Sequence, residues 1–158
     1  MFPGWLETLP NLQVLSLRSN KFHGVITSFG TKLPFPRLRI FDISNNYFTG
    51  PLPVSYIHNF QGMMNTNDNQ TGLEYLGDNS VYNDSIVIVM KGLYIELTRI
   101  LTVFTTIDLS NNMFEGEIPT VIGELHSLKG LNLSHNRITG TIPLSLGNLS
   151  NLEWLDLS

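Results

Sequence analysis

This chain of 158 residues contains no cysteine and no alanine. Without cysteine it carries no disulfide, and its redox compartment leaves no mark, because an oxidising environment permits disulfides without requiring them in every segment. The missing alanine, set beside frequent Gly, Pro, Asn and Ser, argues against long helices and for short strands with many bends. Charged residues are scarce at 14% and the net charge is -4. That balance disfavours a nucleic-acid partner, and 42% hydrophobic residues fit one globular domain rather than a disordered tail. The longest apolar run, Ile86 to Met90, falls far short of the roughly 18 residues that cross a bilayer. The opening "MFPGWLETLPNL" lacks the basic and apolar regions of a secretory signal.

Catalytic motifs are lacking too. His23, His58, His126 and His135 show no HExxH or other metal-ligand spacing, and there is neither a GxxxxGK[ST] phosphate loop nor a nucleophile elbow. Asp42, Asp108 and Asp156 occupy equivalent positions of a repeat, so pairing any two as acid and base would be accidental. The sequence therefore predicts no enzyme, no cofactor and no metal site.

What the chain does contain is repetition. "LQVLSLRSN" (12–20), "LRIFDISNN" (38–46), "FTTIDLSNN" (104–112) and "LKGLNLSHN" (128–136) align on their asparagines, and "LEWLDLS" begins a fifth unit at Leu152. Phe104, Leu128 and Leu152 are spaced by 24 residues and Leu12 and Leu38 by 26, within the leucine-rich repeat range. Alternation turns Leu15 and Leu17, Ile107 and Leu109, or Leu131 and Leu133 inward along a short strand. Each coil then adds one strand to a parallel sheet. Asn20, Asn46, Asn112 and Asn136 follow where the chain turns, and a buried Asn there bonds backbone groups of its own and the next coil. One coil cannot bury its apolar face alone, so several must stack and terminal ones need caps. The chain opens in the tail of one repeat and ends inside the strand of another without a recognisable cap. The expectation is a piece of a longer solenoid or a truncated product, poorly soluble by itself.

After each asparagine comes G-x-[IL]-P or a relative: "GVI" at Gly24, "GPLP" at Gly50, "GEIP" at Gly116 and "GTIP" at Gly140. Gly permits a positive φ and Pro fixes its own. Here the chain resembles the plant-type extracellular leucine-rich repeat. The implied fold is an α/β-type solenoid, with a parallel sheet on the concave face and short 3-10 or helical turns on the convex face.

Leu38 and Phe104 lie 66 residues apart, where one repeat takes about 24. The expected division is repeats over 1–61, an island insertion over 62–103, and repeats over 104–158. Within the insertion "DSIVIVMKG" reads as a strand, whereas "YIELTRIL" fits either a strand or a short helix. "YNDSIVIVMKGLYIELTRILTVFTTIDLSNNMFEGEIP", residues 82–119, looks like the island and following repeat of plant receptor-like proteins, the family of disease-resistance and elicitor receptors. That resemblance implies an ectodomain at the plasma membrane, extracellular side, held by a downstream span that this chain lacks. It further implies an apoplastic protein, peptide or glycan ligand, an adaptor receptor kinase, and a SERK-type co-receptor kinase met by the repeats of 104–158. Two alternatives remain open: the ectodomain of a true receptor kinase, and a secreted inhibitor of cell-wall-degrading enzymes, against which the island argues.

Residues projecting from the strands are the first candidates for ligand contact: Arg18, Ile40, Asp42, Asp108, Asn132 and Trp154. The Asp and Ser positions largely spell the repeat consensus. Arg18, Ile40 and Trp154 depart from it, and exposed aromatics and Arg are common hot-spot residues. In the insertion, Tyr75, Asp78, Tyr82, Asp84, Lys91 and Glu96 are expected to contact a ligand or to dock the island on the solenoid. Sequons at Asn69, Asn83, Asn132 and Asn148 agree with a secreted glycoprotein, with Asn69 the most accessible by composition.

Overall fold

The computed structural model describes residues 1–64, 86–90, 93–97 and 104–158. Along the chain, strands alternate between two walls of a coil: β1 (Val14–Ser16), β2 (His23–Val25), β3 (Ile40–Asp42) and β4 (Tyr47–Gly50). After the insertion come β7 (Thr106–Asp108), β8 (Met113–Gly116), β9 (Gly130–Asn132), β10 (Arg137–Ile138) and β11 (Trp154–Asp156). Two helical turns, α1 (Val54–Ile57) and α2 (Gln61–Met64), and 3-10 turns at Gly4–Thr8, Thr120–Glu124 and Leu144–Asn148 complete the coils. No helix among the described residues is long and apolar enough to cross a membrane.

The first wall is a parallel sheet in the order β1-β3-β7-β9-β11, and the second is β10-β8-β4-β2. Its register is the one the repeat alignment dictates: Leu15, Phe41, Ile107, Leu131 and Leu155 share one row. Strands β3 and β7 are direct neighbours, with Ile40 opposite Thr106, so the solenoid closes across the insertion. Within the insertion, β5 (Ile86–Met90) pairs antiparallel with β6 (Leu93–Leu97). Of the segment "YIELTRIL", residues 94–97 are thus strand, and 98–101 lie outside the described residues.

Between the walls runs the core, in which Phe41, Ile43, Ile107, Leu109, Leu128 and Leu131 are fully buried. Burying each such side chain contributes about 1.5–3 kcal/mol. A column of rings binds successive coils: Phe22 stacks on Phe48 at 6.1 Å and Phe48 on Phe114 at 6.2 Å. Met63 is fully buried, and its carbonyl accepts the Ser127 amide at 2.9 Å. Solenoid packing therefore continues to Met64, past residue 61.

The turns carry the glycines in the conformation their sequence position demands. Gly116 has φ 86°, with nothing within 4 Å of where a side chain would begin. Its requirement is backbone freedom rather than space. Gly123 differs, since a Cβ there would run into the Ser145 backbone of the next coil.

Near the start of the chain, Glu7 is buried with its carboxylate accepting the amides of Phe29 at 3.0 Å and Thr31 at 2.7 Å. Burial alone would raise its pKa, but those amides, with Tyr56 and Thr31 side chains, hold it below the usual carboxylate value. A charged side chain thus ties the first 3-10 turn to the loop at 28–31. Sequence reading missed Glu7, because a lone Glu in "GWLETLP" carries no visible partner.

Candidate functional site

The concave sheet presents three rows. One holds Val14, Ile40, Thr106, Gly130 and Trp154, and the next Ser16, Asp42, Asp108, Asn132 and Asp156. Two residues further along each strand come Arg18, Ser44, Ser110, Ser134 and Ser158.

The D-x-S and N-x-S phrases prove to be local hydrogen-bonded units. Asp108 Oδ1 accepts the Ser110 amide at 3.0 Å and its hydroxyl at 2.6 Å. Asp42 does the same with Ser44, Asn132 with Ser134, and Asp156 with Ser158. A side-chain acceptor that caps the amide two residues on stabilises the strand exit. One oxygen of each acid is therefore committed to the fold.

Asp42 and Asp108 offer their second oxygens to Arg18, whose Nη1 lies 3.1 Å from Asp42 Oδ2 and 3.5 Å from Asp108 Oδ2. Arg18 answers to the negative row rather than standing free. Burial, then the neighbouring charge of Asp42, pushes the Asp108 carboxyl up to about 6, against the downward pull of Ser110 and Arg18. Among the described residues, the Trp154 indole Nε1 is buried without a hydrogen-bond partner, and Asp108 Oδ2 is buried with only its longer ion-pair contact to Arg18. Such groups are costly to leave unmatched.

Several candidates are less accessible than their place on a concave face suggests. Ile40 is fully buried in β3, which has a strand on either side, and Asp42, Asp108 and Asn132 are 1%, 4% and 4% exposed. Trp154, expected as an exposed aromatic, is 8% exposed. Its indole lies over Gly130, the one position in its row without a side chain, and a Cβ there would collide with Cε2, Cζ2 and Nε1. Asn132 has its carboxamide oxygen engaged by Ser134. Its sequon is closed in the folded chain, whereas Asn148 is exposed.

The asparagine ladder links coils, pointing back to the preceding coil rather than forward. Asn112 Nδ2 donates to the carbonyls of Ile43, Leu109 and Ser110, and its Oδ1 accepts the Phe48 amide at 3.1 Å. Asn46 and Asn136 repeat the pattern. Asn20 donates to Leu17 and Arg18 of its own coil. Tyr75, Asp78, Tyr82, Asp84, Lys91, Asn69 and Asn83 lie outside the described residues, and so does the Glu96 side chain, although its backbone is in β6.

Leucine-rich repeat family models match residues 11–33, 37–59 and 103–158. The chain belongs to the leucine-rich repeat family. Within it, the sequence groups with plant receptor-like proteins. Receptor-like protein 34 of Arabidopsis thaliana is 51% identical over 134 residues, and Receptor-like protein 35 is 50% identical over 129. Those alignments take 84% and 80% of this chain but only 14% and 13% of the relatives, so it spans about one seventh of their length. Among solved structures, the plant peptide hormone receptor RGFR1 in complex with RGF2 aligns with TM-score 0.57 and 26% identity, over 89% of this chain and 15% of that one. The ectodomain of the Arabidopsis receptor kinase HAESA, in complex with an IDA peptide hormone, aligns with TM-score 0.56 and 22% identity, over 99% of this chain and 24% of that one. The leucine-rich repeat solenoid read from the sequence is the fold observed.

Proposed function

We propose that this chain is a ligand-binding segment of a plant cell-surface receptor-like protein, acting in defence through partner receptor kinases rather than by catalysis. The observation that carries the reading is the half identity to receptor-like proteins over four fifths of the chain. Its site is the concave face, where Arg18, Asp42 and Asp108 form a charged cluster and Trp154 covers Gly130 further along the sheet. A peptide is the leading ligand class, supported by the resemblance to a peptide hormone receptor. The repeats of 104–158 are assigned to a SERK-type co-receptor kinase, the insertion of 62–103 shares in ligand recognition, and an adaptor receptor kinase completes the complex at the outer face of the plasma membrane.

Reading the complete transcript at both ends tests this directly. An apolar span followed by a short tail is the expected result, and a downstream kinase domain would move the chain to the receptor kinases. In the complete receptor, removing residues 65–103 while keeping Met63 in the core is expected to abolish the ligand response, measured as the oxidative burst of treated leaf tissue. A full response in that deletion would remove the insertion from the site.

A further inference from the structure

Where the two sheets meet, the chain turns a corner in every coil, and the corner residues Ser19, Asn45, Asn111 and His135 all have φ between 54° and 57°. An Asn tolerates that left-handed backbone better than most residues. These repeated turns line up along the solenoid, one per coil. Beside them runs an open groove of about 690 Å³, lined among others by Asn20, Lys21, Asn45, Tyr47, Asn111 and Met113. It is separate from the concave face.

The groove is built in two tiers. Its floor includes the ladder carboxamides of Asn46 and Asn112, saturated by backbone partners. Its rim is exposed and unsaturated: among the described residues, the Asn111 carboxamide, the Tyr47 hydroxyl and the Lys21 ammonium make no side-chain hydrogen bond. Asn45 donates to Ser19 Oγ at 3.0 Å and keeps its carbonyl oxygen for an acceptor role. Tyr47, 54% exposed, offers a ring face as well as its hydroxyl. Carboxamides match the paired donor and acceptor character of vicinal hydroxyls, and an aromatic ring packs against the C–H face of a pyranose.

Spacing narrows the ligand further. Coils repeat every ~4.8 Å, the separation of hydrogen-bonded strands, whereas an extended peptide advances ~3.4 Å per residue and presents one side every second residue. A peptide running across the coils falls out of step with the corner residues. An extended, β-linked hexose chain advances by nearly one coil per sugar. The insertion does not interrupt the row, because the coils bearing Asn45 and Asn111 are adjacent, with the Asn45 amide bonded to the Ser110 carbonyl.

We infer that the corner groove is a second binding site, for a neutral, extended oligosaccharide lying across successive coils, with Asn45, Asn111 and Tyr47 as its principal contacts. Among the described residues Lys21 is the one charged residue lining it, too few cations to match the repeated charges of a polyanion, which leaves hydroxyl recognition. The inference stands whether or not the concave face takes a peptide.

The test is calorimetric titration of the full chain with cellohexaose, with a galacturonic acid hexamer and an extended hexapeptide as competitors. Saturable binding of cellohexaose is expected, weakened at least fivefold by Asn111→Gly, which keeps the left-handed turn, and by Tyr47→Thr, with the thermal midpoint unchanged. The concave-face change Ser16→Ala is expected to leave it intact. No heat at millimolar cellohexaose, binding indifferent to both groove variants, or a groove that takes the acidic hexamer or the peptide in preference would each overturn the proposal.

Discussion

Asp108 shows how a repeat consensus residue acquires individual chemistry. The Asp of each D-x-S unit has the same local partners, yet Asp108 is held at about 6 by burial and by Asp42 beside it, above an ordinary value of 3.8. The folded state therefore binds its proton more tightly than the unfolded chain does. Stability from this group is greatest below the unfolded pKa and is lost as pH rises through the folded one. Chemical denaturation at pH 7 and pH 5 is expected to show the chain gaining stability on acidification, by about 1.3 kcal/mol from this site. Asp108→Asn should flatten that slope. Glu7 works in the opposite sense: its pKa is lowered, so its contribution is present above about 4.5 and is lost as pH falls further. At the same scale, Gly130→Ala is expected to expel the Trp154 indole from its recess, since nothing larger than glycine fits beneath it. Trp154 lies close above the strand, so near-ultraviolet circular dichroism should record the change.

The ladder asparagines differ in a way that a shared motif conceals. Asn112 satisfies three carbonyls and one amide at a buried position, whereas Asn20 is exposed and serves carbonyls of its own coil. Asn112→Ala is expected to cost at least about 3 kcal/mol, because several buried backbone groups lose their partner, and Asn20→Ala no more than about 1 kcal/mol. Urea denaturation of the two variants measures the gap. Strand positions and register were legible in the sequence because a short parallel strand with one buried side leaves a strict alternation. The second sheet was not foreseen. Its strands β2, β4, β8 and β10 fall in N-x-F-x-G and its variants, where one position per coil, held by Phe22, Phe48, Phe114 and Ile138, packs inward instead of an alternation. Burial of the concave rows was equally invisible. Neighbouring coils decide it, and Ile40 reads as a departure from consensus whether it is covered or bare.

For the molecule as a whole, accessibility separates two sequons that look alike. Asn132 and Asn148 both sit in "NLS", but Asn132 is locked in the sheet and Asn148 ends an exposed 3-10 turn. Glycopeptide mass spectrometry of the chain expressed through a plant secretory pathway is expected to find sugar at Asn148 and none at Asn132. The sequence carried the tripeptides; the fold decides which is open to an enzyme.

The direct contact of β3 with β7 has a consequence for how the insertion changes over time. Phe48 bonds Asn112 across 64 positions of chain with the same geometry by which Phe22 bonds Asn46 across 24. The solenoid treats the intervening residues as a loop whose ends are already fixed. Closing such a loop costs entropy that grows only with the logarithm of its length, so doubling the insertion adds about 0.6 kcal/mol. Length at this point is thermodynamically cheap, and new recognition surface can be added there while every coil keeps its place in the stack.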